Sequence, residues 1–346
     1  RLPSVLAVTE CGSLTAAEFA AVARGEYDDQ EVPPVFPGIV AYTLGLGGGD
    51  GLGGGNGNLP FNPGDINTGD GYPAIRYTQY GEWEQVSKKG PYLMMKWGQG
   101  LPYKMFTPEI NGKHCPVGCV AVAVGQIAAA NKYHQHINRV VVGPIDNKIE
   151  GYYVDWLLLF EQFRLFEEKP TNKCYFDEND SSPEAIATAR LLRGVGARLN
   201  MKYGAESSGA LDGDARRAFT SFGYKEVGFC KFTAERADEM LIKRELPFYI
   251  SADGGKNHAW VIDGVLSQKR RADVYLSSGA HVETYYESRK LYHCNFGWAG
   301  LCDGYYYSNG ICDPSKKPVE IENKNDRDSN TTSRYSDPEM IPYKLQ

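Results

Sequence analysis

The chain has 346 residues, 42% of them hydrophobic and 23% charged, a balance that fits a globular protein with a sizeable core. A formal net charge of -6 gives no basic footprint and speaks against nucleic acid as a partner. No apolar run approaches the roughly 18 residues of a membrane span, and the eight cysteines form no C-x-x-C pair, so neither a zinc ribbon nor a thioredoxin motif is present.

The chain opens at Arg1 with neither Met nor a signal peptide, as expected of a processed form. Residues 1–25 read as folded, with a short apolar run in 1–8. Thr15-Ala16-Ala17-Glu18 is a capping-box pattern that predicts a short helix ending at Gly25. Residues 39–46 predict a strand. The glycine-rich tract 47–58 follows, with no Gly-Lys-Ser/Thr that would make it a phosphate-cradling loop. Its single Asp/Asn-Gly rhythm cannot build a calcium-binding solenoid. It reads as a flexible linker, rich in Gly, Asn and Pro to about Pro73.

The central stretch is residues 115–130. From Cys119 to Tyr133 the main polar interruptions are Gln126, Asn131 and Lys132, which predicts a helix apolar all round and therefore buried. Pro116 and Gly118 keep the chain non-helical until about Cys119. A thiol is thus placed in the first turn of a buried helix, where unpaired N–H groups and the dipole favour thiolate. On this ground alone, an ordinary buried cysteine or a metal site built on Cys115 and Cys119 stands at even weight.

Residues 152–166 predict a helix, and Ser182-Pro183 caps another that Gly194 is expected to stop. Residues 212–222 and 233–246 predict two more. Short aromatic and β-branched runs then follow at 248–252, 258–265, 274–278, 282–286, 291–296 and 305–308, separated by Gly, Ser and charged turns. Helices first and antiparallel strands afterwards define an α+β chain, expected as two packed lobes with a cleft. The polar tail 315–336 reads as exposed loop.

Among six histidines, His114, His134, His136, His281 and His293 have no special lead-in, whereas the turn-rich loop 253–257 delivers His258 to the head of an apolar strand. A cysteine–histidine pair needs a third group to fix the imidazole, and Asn295 lies in a later aromatic-flanked strand. Gln99 can supply an oxyanion donor. The order Gln, Cys, His, Asn is the stronger signal. Cys119 and His258 stand 139 positions apart (258 minus 119), inside the range of about 130–150 seen in papain-type enzymes.

These residues resemble the streptopain family of bacterial cysteine peptidases. The likeness runs through Gly118-Cys119-Val120-Ala121 with Gln126-Ile127, through His258-Ala259-Trp260-Val261-Ile262-Asp263-Gly264, through Asn295 to Gly300, and through Gln99-Gly100-Leu101-Pro102-Tyr103. Met201-Lys202-Tyr203-Gly204 with Ser207-Ser208-Gly209-Ala210 resembles the family's segment along the non-primed side of the cleft. The resemblance implies a papain-like two-lobe fold, a helical lobe carrying the Cys helix and a β-barrel-like lobe carrying His and Asn. It implies a secreted, periplasmic or cell-surface bacterial endopeptidase without cofactor or metal, acting on protein or peptide substrates. Cys119 would be the nucleophile in a thiolate–imidazolium pair with His258, Asn295 the orienting group and Gln99 the oxyanion donor. Ser207, Ser208, Gly209, Asn257 and Trp298 would contact substrate. Residues 1–46 would be the C-terminal part of an inhibitory pro-segment, 47–85 a linker and 86–346 the peptidase domain.

Three positions depart from the family pattern: Val117 for Thr, Asn257 for Gly and Phe296 for Trp. None removes a catalytic group. An amidase or transglutaminase-like enzyme would carry Asp where Asn295 stands, and a silent peptide- or inhibitor-binding relative would not need all four catalytic groups.

Overall fold

The computed structural model describes residues 5–9, 12–15, 76–137, 148–149, 151–168, 174–253, 257–276, 279–307 and 335–345. The helix expected to end at Gly25, the strand at 39–46 and the glycine tract lie outside these residues. In chain order the elements are β1 (Val5–Thr9), β2 (Gly12–Thr15), β3 (Arg76–Tyr80), β4 (Glu84–Lys89), β5 (Glu109–Ile110), β6 (Lys113–His114), α1 (Cys119–Ile137), β7 (Lys148–Ile149), β8 (Tyr152–Tyr153) and α2 (Trp156–Glu168). Then come α3 (Pro183–Arg198), α4 (Asp212–Ser221), β9 (Cys230–Lys231), α5 (Ala234–Asp238), a wider π-type turn over Glu239–Lys243, β10 (Phe248–Asp253), β11 (His258–Leu276), β12 (His281–Asn295), β13 (Gly304–Tyr307) and β14 (Ser336–Ile341).

The chain divides into two compact units, residues 1–81 with 271–286, and residues 82–270 with 287–346. In the first, β1 pairs with β2, and β3 pairs antiparallel with residues 272–276 of β11. The second unit holds the helices and an antiparallel sheet in the order β13-β12-β11-β10-β14-β9, with β4 also paired to β11. The path has free ends, so the sheet is open. The barrel-like closure expected of the strand-rich half is not formed.

Helix α1 sits in the core of the second unit, with Ala121, Val122, Val124, Gln126, Ile127, Ala128 and Ala129 all buried. Small residues let its neighbours close in. A Cβ on Gly125 would stand 2.6 Å from Leu192 Cδ2 of α3. That same packing logic explains a difference from the sequence reading. Ser182 does cap α3, accepting from the Ala185 N–H, but the helix runs through Gly194 to Arg198. A Cβ on Gly196 would come 2.2 Å from Tyr203 Oη, so glycines in this helix make room for neighbours instead of ending it.

Helix α2 begins at Trp156, four residues after its expected start, because the Asp155 carboxylate takes the N–H groups of Leu157 and Leu158. Four expected short strands are two long ones, β11 and β12. The charged residues read as turns are tolerated within them because they pair across the sheet face, as Arg270 does with Glu287. Strands 76–80 and 84–89 occupy part of the expected linker. Among the described residues no helix is long and apolar enough to cross a membrane.

Candidate active site

Cys119 is the first residue of α1, half-buried. Gly118 before it has φ +92, and a Cβ there would meet Ser208 O at 2.9 Å and Met201 Sδ at 3.0 Å. A side chain at 118 is therefore excluded twice, by backbone conformation and by space. The Val117 N–H donates to Gln99 O at 3.1 Å, which fastens the Gln99 segment beside the cysteine turn. Lys202 and Gly209 exchange two backbone hydrogen bonds at 2.9 and 3.1 Å, holding Ser207, Ser208 and Gly209 against the same turn. The expected residues Gln99, Ser208 and Cys119 are thus neighbours.

His258 opens β11 and is only 7% exposed. Its ring lies 4.8 Å from the Trp298 ring and 5.6 Å from Tyr335, with Trp260 and Phe296 beyond. Nε2 stands 2.9 Å from Phe296 O. A carbonyl only accepts, so Nε2 carries the proton and Nδ1 is left as the basic nitrogen. The Ala259 N–H, one residue along β11, acts on the Cys119 sulfur, which puts the sulfur beside the head of the strand that His258 opens. Asn257 is exposed just before it.

Asn295 is buried at the end of β12. Its Oδ1 accepts from Gln126 Nε2 and from the Gly297 N–H, both at 3.1 Å, and its Nδ2 donates to Met95 O at 3.0 Å. Gln126 in turn accepts the Trp97 N–H at 3.0 Å. The imidazole N–H therefore donates to the main chain of the next residue, at Phe296 O. Asn295 reaches His258 indirectly, since the Gly297 N–H and the Phe296 carbonyl belong to one peptide group.

Electrostatics differ from the helix-start argument. Burial pushes the Cys119 thiol up, while the N–H groups of Ala259, Val120 and Cys119 pull it part of the way back. Burial also pushes His258 down to about 4, against the Phe296 hydrogen bond, which raises it. Both directions favour neutral thiol and neutral imidazole, because lost hydration outweighs a helix terminus.

Four of the other histidines are occupied elsewhere. His114 meets Thr107 O and Glu109, His134 meets Tyr92 O, His281 meets Thr284 and Asp273, and His293 forms a buried pair with Asp263 at 2.6 Å. Among the described residues no group of three or more His, Cys, Asp or Glu could hold a metal ion. Sequence reading missed Phe296 O, which has no side-chain signature. It also missed the Gln126 bridge, although a lone glutamine in an apolar helix was a visible signal. Tyr335 was hidden in a polar tail read as exposed loop, yet it is buried on His258.

A half-buried thiol at a helix start, beside a strand headed by an imidazole with a free Nδ1, is an arrangement suited to acyl transfer through sulfur. The sequence profile of the peptidase C10 family matches residues 97–306, and the chain belongs to that family. It is 26% identical to streptopain of Streptococcus pyogenes over 238 residues, covering 61% of this chain and 52% of streptopain. It is also 26% identical over 225 residues to the thiol protease/hemagglutinin PrtT of Porphyromonas gingivalis, covering 62% of this chain and 23% of that one. The chain spans about half the length of the streptopain relatives it matches. Among solved structures, active wild-type interpain A cysteine protease of Prevotella intermedia matches with TM-score 0.47 and 22% identity, over 74% of this chain and 95% of that one.

Proposed function

We propose that the chain is a cysteine endopeptidase that cuts peptide bonds through an acyl-enzyme on Cys119. The observation that carries this reading is the state of His258: a carbonyl fixes the proton on Nε2 and leaves Nδ1 to act as base. As the Cys119 sulfur attacks the scissile carbonyl carbon, its proton passes to Nδ1. The thiolate–imidazolium pair is then made during attack, in keeping with the neutral resting forms that burial favours. The imidazolium returns the proton to the leaving amine, and a water activated at Nδ1 hydrolyses the thioester. The oxyanion is held by the Cys119 N–H and the Gln99 side chain. Substrate lies in a groove between helical and sheet lobes, along Ser207, Ser208 and Gly209 on one side and Asn257 and Trp298 on the other.

The family resemblance supports a secreted enzyme made as a zymogen. In that reading residues 1–46 close the pro-segment, 47–85 lead to the peptidase domain, and the pro-segment is the enzyme's own inhibitor. The test is casein hydrolysis by the full chain and by a form trimmed of residues 1–85. Cys119→Ala abolishes turnover and Cys115→Ala retains it; equal loss from both would replace this chemistry with a disulfide or metal role. Trimming raises turnover, and an unchanged rate would remove the pro-segment from the proposal.

A further inference from the structure

Phe296 is held at both ends. Its carbonyl takes the His258 Nε2–H, and its own N–H donates to Asp303 Oδ1 at 2.9 Å. Asp303 has no exposed surface and lies just before β13, across the 297–302 turn that carries Trp298. Its second oxygen, Oδ2, is buried with no hydrogen-bond partner among the described residues. A fully buried carboxyl with one such bond is an expensive acceptor for a single N–H. An asparagine oxygen would serve the same N–H without carrying a charge.

Resting on the reading of His258 as the base, we propose that Asp303 is a positioning residue for the reaction, a proton-dependent clamp on the Phe296 main chain that keeps the Phe296 carbonyl on His258. When the carboxyl ionises, its bond to the Phe296 N–H becomes charge-assisted and about twice as strong. The turn that presents the Phe296 carbonyl and the Trp298 ring to His258 tightens accordingly. The groups facing Asp303 come from three elements. Lys96 before α1 and His293 on β12 favour the carboxylate, and Asp263 on β11 opposes it. Burial, reinforced by Asp263, outweighs Lys96, the Phe296 N–H and His293 and pushes the Asp303 carboxyl up to about 7, so the clamp changes strength near neutral pH.

The test compares wild type, Asp303→Asn and Asp303→Ala in the full chain. Asp303→Ala orphans the Phe296 N–H and lowers kcat by about 10- to 100-fold with KM little changed. Asp303→Asn keeps an oxygen acceptor and recovers all but about three-fold of that loss. The wild-type kcat rises through an inflection near pH 7 that Asp303→Asn lacks. An inflection that persists in Asp303→Asn overturns the proposal, as does an Asp303→Ala loss confined to KM. Should Asp303→Ala fail to fold, the Asp303→Asn profile decides. The His258 Nε2–H proton resonance reads the same geometry without turnover: it shifts with pH around 7 in wild type and holds still in Asp303→Asn. A wild type without turnover but with that shift would sink the peptidase reading and leave only the proton-dependent hold of Asp303 on the Phe296 main chain; full turnover with no shift would overturn the clamp and leave the peptidase reading standing.

Discussion

Two buried histidines stand within the sheet of the second unit, and their partners differ in kind. His258 meets a neutral main-chain carbonyl, and His293 meets the carboxylate of Asp263, which also takes the Leu93 N–H at 3.0 Å. A carbonyl fixes the tautomer without adding charge, so the ring it holds remains a neutral base with one nitrogen to spare. A carboxylate at 2.6 Å makes its ring half of a buried polar pair that ties β12 to β11. Burial alone is common to both. The identity of the acceptor separates a ring available for proton transfer from one used in construction of the core.

That contrast can be broken most sharply at the rings themselves. His258→Gln should lower kcat/KM by about 10² to 10⁴-fold, the usual worth of a general base, with the melting temperature little changed. His293→Gln should do the opposite, losing stability with less than about a ten-fold change in turnover, because it disturbs a buried hydrogen-bonded pair. Similar kinetic losses from both would erase the distinction. Asn295→Leu tests the indirect hold on His258. It orphans Gln126 Nε2 and the Gly297 N–H, costing about 1–3 kcal/mol of stability and about ten-fold in kcat through the displaced carbonyl. Retention of full kcat would separate Asn295 from the imidazole altogether.

Gly118→Ala probes the cysteine side and should cost about 1–3 kcal/mol from a positive φ and contact with Ser208 O, read by urea denaturation. The smallest effect on turnover is expected from Tyr335→Ala, which lets water reach the His258 ring. The folded-state value of that ring, about 4, lies below the ordinary value of about 6.5. Its contribution to stability is therefore fully present above about pH 6.5 and is lost as pH falls through about 4. Tyr335→Ala should move the ring's titration midpoint upward toward 6.5, measured by NMR, and narrow that window. A midpoint that stays near 4 would assign the drying of the ring to Trp298, Trp260 and Phe296 alone.

How much of this was legible in the sequence follows from where the information resides. The cysteine helix and the histidine strand announce themselves, because an apolar run behind Pro and Gly, and a turn-rich loop ahead of Ala259-Trp260-Val261-Ile262, are local patterns. Gln99 was joined to Cys119 by chain order and Ser208 by family likeness; the contacts that place them, Val117 N–H to Gln99 O and Gly118 close to Ser208 O, involve backbone atoms and leave no trace in composition. The Phe296 carbonyl is invisible for the same reason. Asn295 was singled out as a polar residue in an aromatic setting, but its partners Gln126 and Met95 lie 169 and 200 positions away. The neutral state of the thiol depends on how many groups crowd it, a three-dimensional property that a helix-start rule does not contain.

The strand Ser336–Ile341 has a practical consequence for anyone choosing where to end an expression clone. It lies between β10 and β9, thirty residues beyond the last position matched by the family profile. A clone stopped at that match would expose the edge of β10, leave Asn131 without the Tyr343 hydroxyl it donates to at 2.8 Å, and strip Tyr335 from the candidate base. Such a product should be recovered as aggregate, with its unpaired edge as the sticking surface.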